Sequence, residues 1–143
     1  MPASQGLAFE DLAIGMSAES EMRVTEDVVA AFADVSGDHN PVHLDPSYAA
    51  QTPFKERIAH GMLSAAYISA LIGTRLPGPG SIYVSQTLRF RRPVKLGATV
   101  ATRVEVAALD ADKGRAQLFC TCSVDGKTVL EGEAEIMVPR RAG

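Results

Sequence analysis

Apolar and polar residues alternate with period two along three stretches in the second half of the chain. Such alternation predicts β-strands with one buried face and one solvent-facing face. Turn-forming residues at 110–114 and 125–127 separate the stretches, so we expect an antiparallel meander. The predicted inward positions all carry even numbers: Val100, Val104 and Val106; Ala116, Leu118, Cys120, Cys122 and Val124; Leu130, Ala134, Ile136 and Val138.

The first half of the chain is predicted to be helical and irregular after an initial strand at 16–24. Thr25 is a candidate N-cap, and the apolar residues that follow it recur at helical spacing up to Gly37, which should end the helix. The glycine, proline, asparagine and aspartate content of 37–53 predicts a structured loop with one helical turn at 47–50. The apolar residues of the helix are Val28, Val29, Phe32 and Val35.

Residues 61–74 are apolar nearly all round, which is typical of a helix that protein covers on most sides. Prolines and glycines at 76–80 should end this helix, and 81–91 is predicted to form a fourth strand. A sheet with one apolar face needs a cover, and this helix is the candidate. We therefore expect one domain over 1–143, of the α+β class, with a curved antiparallel sheet wrapped around one long central helix.

Composition narrows the classes of function. Hydrophobic residues make up 46% and charged residues 22% of the chain, and the net charge is −3, so a nucleic-acid partner is not expected. No secretory signal is visible, and the longest uncharged stretch, 58–74, is too short and polar to span a membrane. Cys120 and Cys122 would share one face of a strand as small buried residues, which fits the reducing cytoplasm.

Candidate chemistry lies in the loop at 36–43. Asp38 and His43 flank a proline-containing segment that cannot be regular helix, and Asn40 and Pro41 should stiffen it. A carboxylate and an imidazole held together can bind a water molecule and move its protons near neutral pH. From spacing alone, a pair that caps a helix is the more common interpretation, and catalysis the less common one. His39, between the two residues, is expected to face solvent.

The segment from Gly37 to His43, Gly-Asp-His-Asn-Pro-Val-His, resembles the hydratase motif of the MaoC-like family, which includes R-specific enoyl-CoA hydratases. The resemblance runs from about Phe32 to Val138, through His60-Gly61-Met62 and the segments 80–83 and 90–94. It implies a hot-dog fold, a homodimer, and Asp38 and His43 as a catalytic dyad. That dyad would add water to a trans-2-enoyl thioester of CoA or acyl carrier protein, giving the (R)-3-hydroxyacyl product. Which residue of the dyad is base and which is acid stays open at this point.

Gly61 begins the apolar helix, where backbone N–H groups are unpaired and the helix dipole is positive. A glycine lets a carbonyl approach the backbone closely, and the resemblance implies that this amide stabilises the thioester oxyanion. Close helix packing is the alternative reason for the glycine. Ser69, on the same helix, is a candidate supporting residue, and Asn40 is grouped with it as a candidate for substrate binding. Ser64 is a weaker candidate.

Arginines at the end of the fourth predicted strand are candidate contacts for the phosphates of CoA, because guanidinium groups bind phosphate well. Solvated charges on an edge strand explain them equally well, and an acidic carrier protein would suit the same patch. The residues are Arg89, Arg91 and Arg92. Acyl-chain length should depend on how Met62, Tyr67 and Leu71 shape one tunnel. Neither a metal nor a cofactor is expected, because the chemistry needs none.

Two rival functions remain for a hot-dog protein. Many hot-dog thioesterases carry an acidic residue on the central helix to activate water, and the segment 61–74 contains none. A non-catalytic subunit that binds acyl thioesters would be expected to lack the Asp–His dyad, and here both residues are present. Both observations favour the hydratase.

Overall fold

The alternating stretches form the predicted meander in the computed structural model, which describes residues 6–141. Strands β4 (Thr99–Asp110), β5 (Arg115–Val124) and β6 (Lys127–Met137) pair antiparallel in sequence order. The inward positions of β4 and β5 lie in the core, with Val104, Leu118 and Cys120 fully inaccessible to solvent. A register shift after Cys122 also buries Val129, which the even-number parity did not predict.

Three further strands complete a six-stranded antiparallel sheet. Strand β1 (Ser17–Arg23) pairs with β4 at one edge, and β2 (Ile82–Gln86) pairs with β6 at the other. The short strand β3 (Arg89–Phe90) also pairs with β6.

The single strand predicted over 81–91 is therefore two strands, and Gly132 explains the break. A Cβ atom at Gly132 would lie 1.8 Å from the carbonyl oxygen of Thr87. The backbone at Thr87 occupies the space of that missing side chain, and its N–H donates to the carbonyl of Glu133 at 2.8 Å. This close approach displaces Thr87 from the regular ladder and separates β2 from β3.

The apolar segment forms helix α4 (Gly61–Thr74), with the predicted bounds. Its inner side, which includes Leu63, Ile68 and Ile72, is buried against the sheet. The arrangement is the expected α+β hot-dog fold. The prediction that protein covers this helix on most sides is not met within one chain. The side opposite the sheet, called the outer face of α4, is exposed. That face consists of Met62, Ala66, Ser69, Ala70 and Gly73.

Helix α1 (Glu26–Ser36) begins and ends as predicted. The Thr25 hydroxyl accepts a hydrogen bond from the Val28 N–H at 3.2 Å, and Gly37 ends the helix in the left-handed conformation. Its apolar face differs from the prediction, since Ala33 is buried whereas Val35 is 83% exposed. Two short helices follow, α2 (Pro41–Leu44) and α3 (Pro46–Ala50).

Cys120 and Cys122 are free thiols, buried as predicted on the inner face of β5. Burial raises the pKa of both thiols, that of Cys120 to about 11. Within residues 6–141, no helix is both long and apolar enough to cross a membrane.

Candidate active site

The loop between α1 and α2 is held by hydrogen bonds between its own side chains and backbone. The Asp38 N–H donates to the Ser36 hydroxyl at 3.1 Å, and one Asp38 carboxylate oxygen, Oδ1, accepts from the Asn40 N–H at 3.2 Å. The Asn40 side chain accepts from the Val42 N–H at 3.2 Å, so Asn40 caps α2, and Pro41 occupies its first position. Asn40 thus supplies the local bonding that its residue type predicted.

His43 is buried on α2 and is oriented by a backbone carbonyl. Its Nδ1 lies 2.7 Å from the carbonyl oxygen of Ile58. A carbonyl can only accept a hydrogen bond, so Nδ1 carries the proton and, in the neutral ring, Nε2 holds a lone pair. The Ile58 segment is itself anchored, because the Ala59 N–H donates to the carbonyl of Val94 at 2.7 Å.

His60 connects the two dyad residues. Its ring stacks on that of His43 at 3.8 Å between centroids, and Phe32 packs against it at 4.9 Å. Its Nε2 lies 2.9 Å from the carbonyl oxygen of Asp38. In the sequence His60 stands out only as part of a motif, and its position directly before Gly61 is the signal that points to it.

Asp38, His43 and His60 form one cluster of polar groups. A carboxylate oxygen of Asp38 and one nitrogen of each histidine lie within 4.8 Å of one another. Asp38 is exposed, whereas the two rings are buried. The same three residue types could ligate a metal ion. One nitrogen of each ring already faces a backbone carbonyl, Nδ1 of His43 at Ile58 and Nε2 of His60 at Asp38, which leaves one nitrogen on each ring. The arrangement suits a bound water, approached from solvent on the Asp38 side.

The N-terminus of α4 adjoins this cluster, because His60 is its N-cap residue and Gly61 its first residue. The His60 side chain makes no capping bond, so it does not occupy the N–H groups of the first turn. A Cβ atom at Gly61 would lie 2.6 Å from a ring carbon of Phe90. Close packing and an accessible amide, the two interpretations of this glycine, are therefore both compatible with the structure.

A cavity of about 470 Å³ opens beside Gly61, which is within the usual range for small-ligand sites. Its walls are mostly apolar, with the Ser64 hydroxyl and two arginines as the polar exceptions. They are formed by Phe54, Ile58, Ala59, Gly61, Met62, Ser64, Phe90, Arg91, Arg92, Pro93, Val94, Val129 and Leu130.

The predicted arginines divide into two groups. Arg91 and Arg92 line the cavity, whereas Arg89 lies on β3 outside its lining. Arg91 forms an ion pair with Glu131. Arg92 donates to the carbonyl of Thr128 and, within residues 6–141, pairs with no carboxylate, so its positive charge is uncompensated.

The residues expected to shape one acyl tunnel are not brought together. Met62 lines the main cavity, whereas Tyr67 and Leu71 line a separate hollow of about 160 Å³ against β1. The reason is helical geometry, since residues five and nine positions apart lie on different sides of α4. Ser69 lies on the exposed outer face of α4, and Ser64 reaches the cavity instead. The role of Ser69 stays a prediction.

His39 faces solvent as expected, 56% exposed at its side chain, with Nε2 lying 3.2 Å from Asp34. The Ile58 carbonyl was not predicted as part of the site. No residue type marks a backbone acceptor, so the sequence carried no signal for it.

The chain is similar to known proteins both in sequence and in fold. Residues 11–127 match the model of the MaoC like domain. The 3-hydroxybutyryl-CoA dehydratase of Methylorubrum extorquens is 49% identical, over 99% of this chain and 90% of the relative. The (R)-specific enoyl-CoA hydratase of Rhodospirillum rubrum is 51% identical, over 93% and 92%. Among solved structures, the unliganded R-hydratase PhaJ1 of Pseudomonas aeruginosa superposes with a TM-score of 0.90 at 51% identity, covering 95% of this chain and 88% of that one. The chain belongs to the MaoC-like family.

Proposed function

We propose that this protein hydrates trans-2-enoyl-CoA to (R)-3-hydroxyacyl-CoA and catalyses the reverse dehydration. The observation that carries the proposal is the cluster at the α4 N-terminus, which brings a free imidazole nitrogen and a carboxylate together beside the first N–H groups of the helix. Gly61, the first residue of that helix, also lines the cavity. The similarity to an enoyl-CoA hydratase and to a 3-hydroxybutyryl-CoA dehydratase supports the same reaction.

His43 is the base in this proposal. Its Nδ1 proton is committed to the Ile58 carbonyl, so Nε2 can accept a proton from a bound water. The hydroxide forms a bond to C3 as the proton passes to Nε2, and the electrons of the double bond move toward the thioester. The same proton then returns to C2 on the same face, which completes the addition of one water molecule.

Asp38 and Gly61 stabilise the two ends of the reacting system. The Oδ2 atom of Asp38 is not used by the Asn40 bond and can accept a hydrogen bond from the water, which fixes its orientation. The thioester oxygen gains negative charge as C3 is attacked, and the Gly61 N–H at the positive end of α4 stabilises it.

The acyl thioester enters through the cavity beside Gly61 in this proposal. Apolar walls suit the acyl chain, and the uncompensated charge of Arg92 suits a phosphate of CoA or an acidic carrier protein. A cytoplasmic location is compatible with the two free, buried thiols.

Kinetics on crotonyl-CoA test the proposal. Wild-type protein should remove the enoyl-thioester absorbance and form the R product. Asp38→Asn and His43→Gln should each lose about three orders of magnitude in kcat or more, because the first loses the carboxylate that orients the water and the second loses the general base. Circular dichroism controls for folding. Release of free thiol without hydration would favour a thioesterase, and full activity of either variant would exclude the dyad.

We also propose that two copies pair as a homodimer. The strand β2 lies at the sheet edge with Ile82, Tyr83 and Val84 exposed, and the outer face of α4 is apolar and exposed as well. Edge strands and apolar surfaces of this kind are commonly covered by a second copy with two-fold symmetry.

The solution mass tests this pairing. Val84→Lys and Ala66→Arg should each shift the protein toward the monomer by light scattering, because a charge would be buried at the interface. Val35→Lys, an exposed apolar position on α1, is the matched control and should leave the mass unchanged. A monomeric wild type at micromolar concentration would exclude the dimer.

A further inference from the structure

We propose that His60 is a positioning residue for the hydration reaction, acting through one hydrogen bond to the backbone of Asp38. The inference rests on the Asp38–His43 dyad proposed above. It assigns a function to a buried imidazole that takes no part in the chemistry of that proposal.

His60 is 2% exposed, and its ring packs against two other rings, those of Phe32 and His43. An apolar ring would satisfy the same packing. Burial of a polar imidazole is unfavourable unless its polar atoms are used, so packing alone does not explain this residue type.

The polar atom in use is Nε2. It lies 2.9 Å from the Asp38 carbonyl oxygen, which can only accept, so Nε2 carries the proton. Within residues 6–141, the Nδ1 atom of His60 is buried without a hydrogen-bond partner. In the absence of substrate, the hydrogen bond to Asp38 is therefore the one polar interaction seen for this side chain within residues 6–141.

That bond fixes Asp38, the exposed member of the dyad, to His60. Asp38 lies in a solvent-facing loop, and its N–H is already bonded to Ser36. The bond from His60 fixes the other side of the same residue, while the His60 ring supports His43 by stacking. His60 is also the N-cap residue of α4, directly before Gly61. It therefore contacts the Asp38 loop and the His43 ring and adjoins the residue that supplies the proposed oxyanion amide.

The test compares three substitutions at His60. Gln can place an N–H donor near the position of Nε2, Asn places one near the position of Nδ1, and Phe keeps the stacked ring without any donor. We expect kcat to fall about 100-fold in His60→Phe and His60→Asn, the usual result of misplacing a catalytic group by about 1 Å, with KM changed less than threefold. His60→Gln should retain kcat within about tenfold of wild type.

Other measurements separate positioning from folding. Val106→Ala, a core truncation on β4, should lower Tm while keeping the wild-type kcat. In the wild-type protein, nitrogen NMR of the imidazole ring should show that His60 is the Nε2–H tautomer. This measurement does not depend on activity. Wild-type activity together with the Asp38 and His43 variants tests the dyad separately.

Any one of three results for His60 would overturn the proposal: a kcat for His60→Phe within threefold of wild type, equal losses in the His60→Gln and His60→Asn variants, or the Nδ1–H tautomer in the wild type. Loss of kcat in Val106→Ala equal to that in His60→Phe would also overturn it, because general destabilisation would then explain both.

Discussion

The β4–β6 meander and the segment from Gly37 to Gly61 are stabilised in opposite ways. In the meander, long regular ladders bury side chains such as Leu118 and Ile136, which are fully inaccessible to solvent. In the segment 37–61, helices are short and the backbone is fixed by individual side-chain bonds, several of them exposed.

The difference shows where stability and reactivity reside in this fold. Burial of apolar area is non-directional and is shared by many residues, so the meander can tolerate substitutions that conserve the apolar volume of a side chain. A catalytic loop needs directed bonds, each of which fixes one atom but contributes little to the free energy of unfolding. Substitutions should therefore separate stability from activity according to region.

Among the substitutions that compare the two regions, Gly61→Ala should produce the largest effect on activity. The added methyl would fall in space now occupied by the Phe90 ring, beside the proposed oxyanion amide. We expect kcat to fall about 100- to 1000-fold, the usual loss when one oxyanion donor is impaired. Gly73→Ala on the same helix is the matched control, because within one chain its Cβ would meet nothing within 4 Å, and light scattering should show that the variant keeps the wild-type mass. It should keep kcat, and equal losses in the two variants would refute the assignment.

Leu118→Ala should affect the free energy of unfolding instead. Removing a fully buried leucine side chain from β5 should lower that free energy by about 3 kcal/mol, through lost burial and an added cavity. Urea denaturation measures the change, and kcat at 25 °C should stay near the wild-type value. Phe119→Ala, on the exposed face of the same strand, should lower stability by less than about 1 kcal/mol. A greater loss of stability in Phe119→Ala than in Leu118→Ala would contradict the assignment of even-numbered β5 residues to the core.

The free energy of unfolding should also fall at alkaline pH, because a buried thiol of the meander then ionises. Burial raises the pKa of the Cys120 thiol from 9.0 to about 11. The folded state therefore binds the proton more tightly, so the free energy of unfolding is at its full value below pH 9 and falls as the pH rises toward 11. Urea denaturation across this range measures the decline, and Cys120→Ala should make it shallower. An identical slope in that variant would assign the decline to other groups.

Thr25→Ala should produce the smallest of these effects. Losing the hydroxyl that caps α1 should lower the free energy of unfolding by about 1 kcal/mol. Thr25→Ser keeps the capping oxygen and should stay close to wild type in thermal denaturation. If the serine variant were as unstable as the alanine variant, the methyl group of Thr25, rather than its hydroxyl, would be the stabilising group.

Local physics was sufficient for much of the fold. Period-two alternation predicted β4, β5 and β6, and an uninterrupted apolar run bounded by Pro and Gly predicted α4. The break between β2 and β3 was not predictable, because it depends on Thr87 meeting Gly132, which lies far away in the sequence. The exposure of Val35 was missed because helical spacing does not say which side a neighbouring element covers.

The site divides in the same way. Asp38, Asn40 and His43 stand within six positions in the sequence, so the motif by itself predicted them as candidate site residues. Local bonds between side chain and backbone shape their loop. Only the tertiary structure decided that the Ile58 carbonyl sets the His43 tautomer, that His60 stacks beneath it, and that Ser64 rather than Ser69 reaches the cavity. The physical reason is that backbone carbonyls and ring faces carry no residue-type signal until the chain brings distant segments into contact.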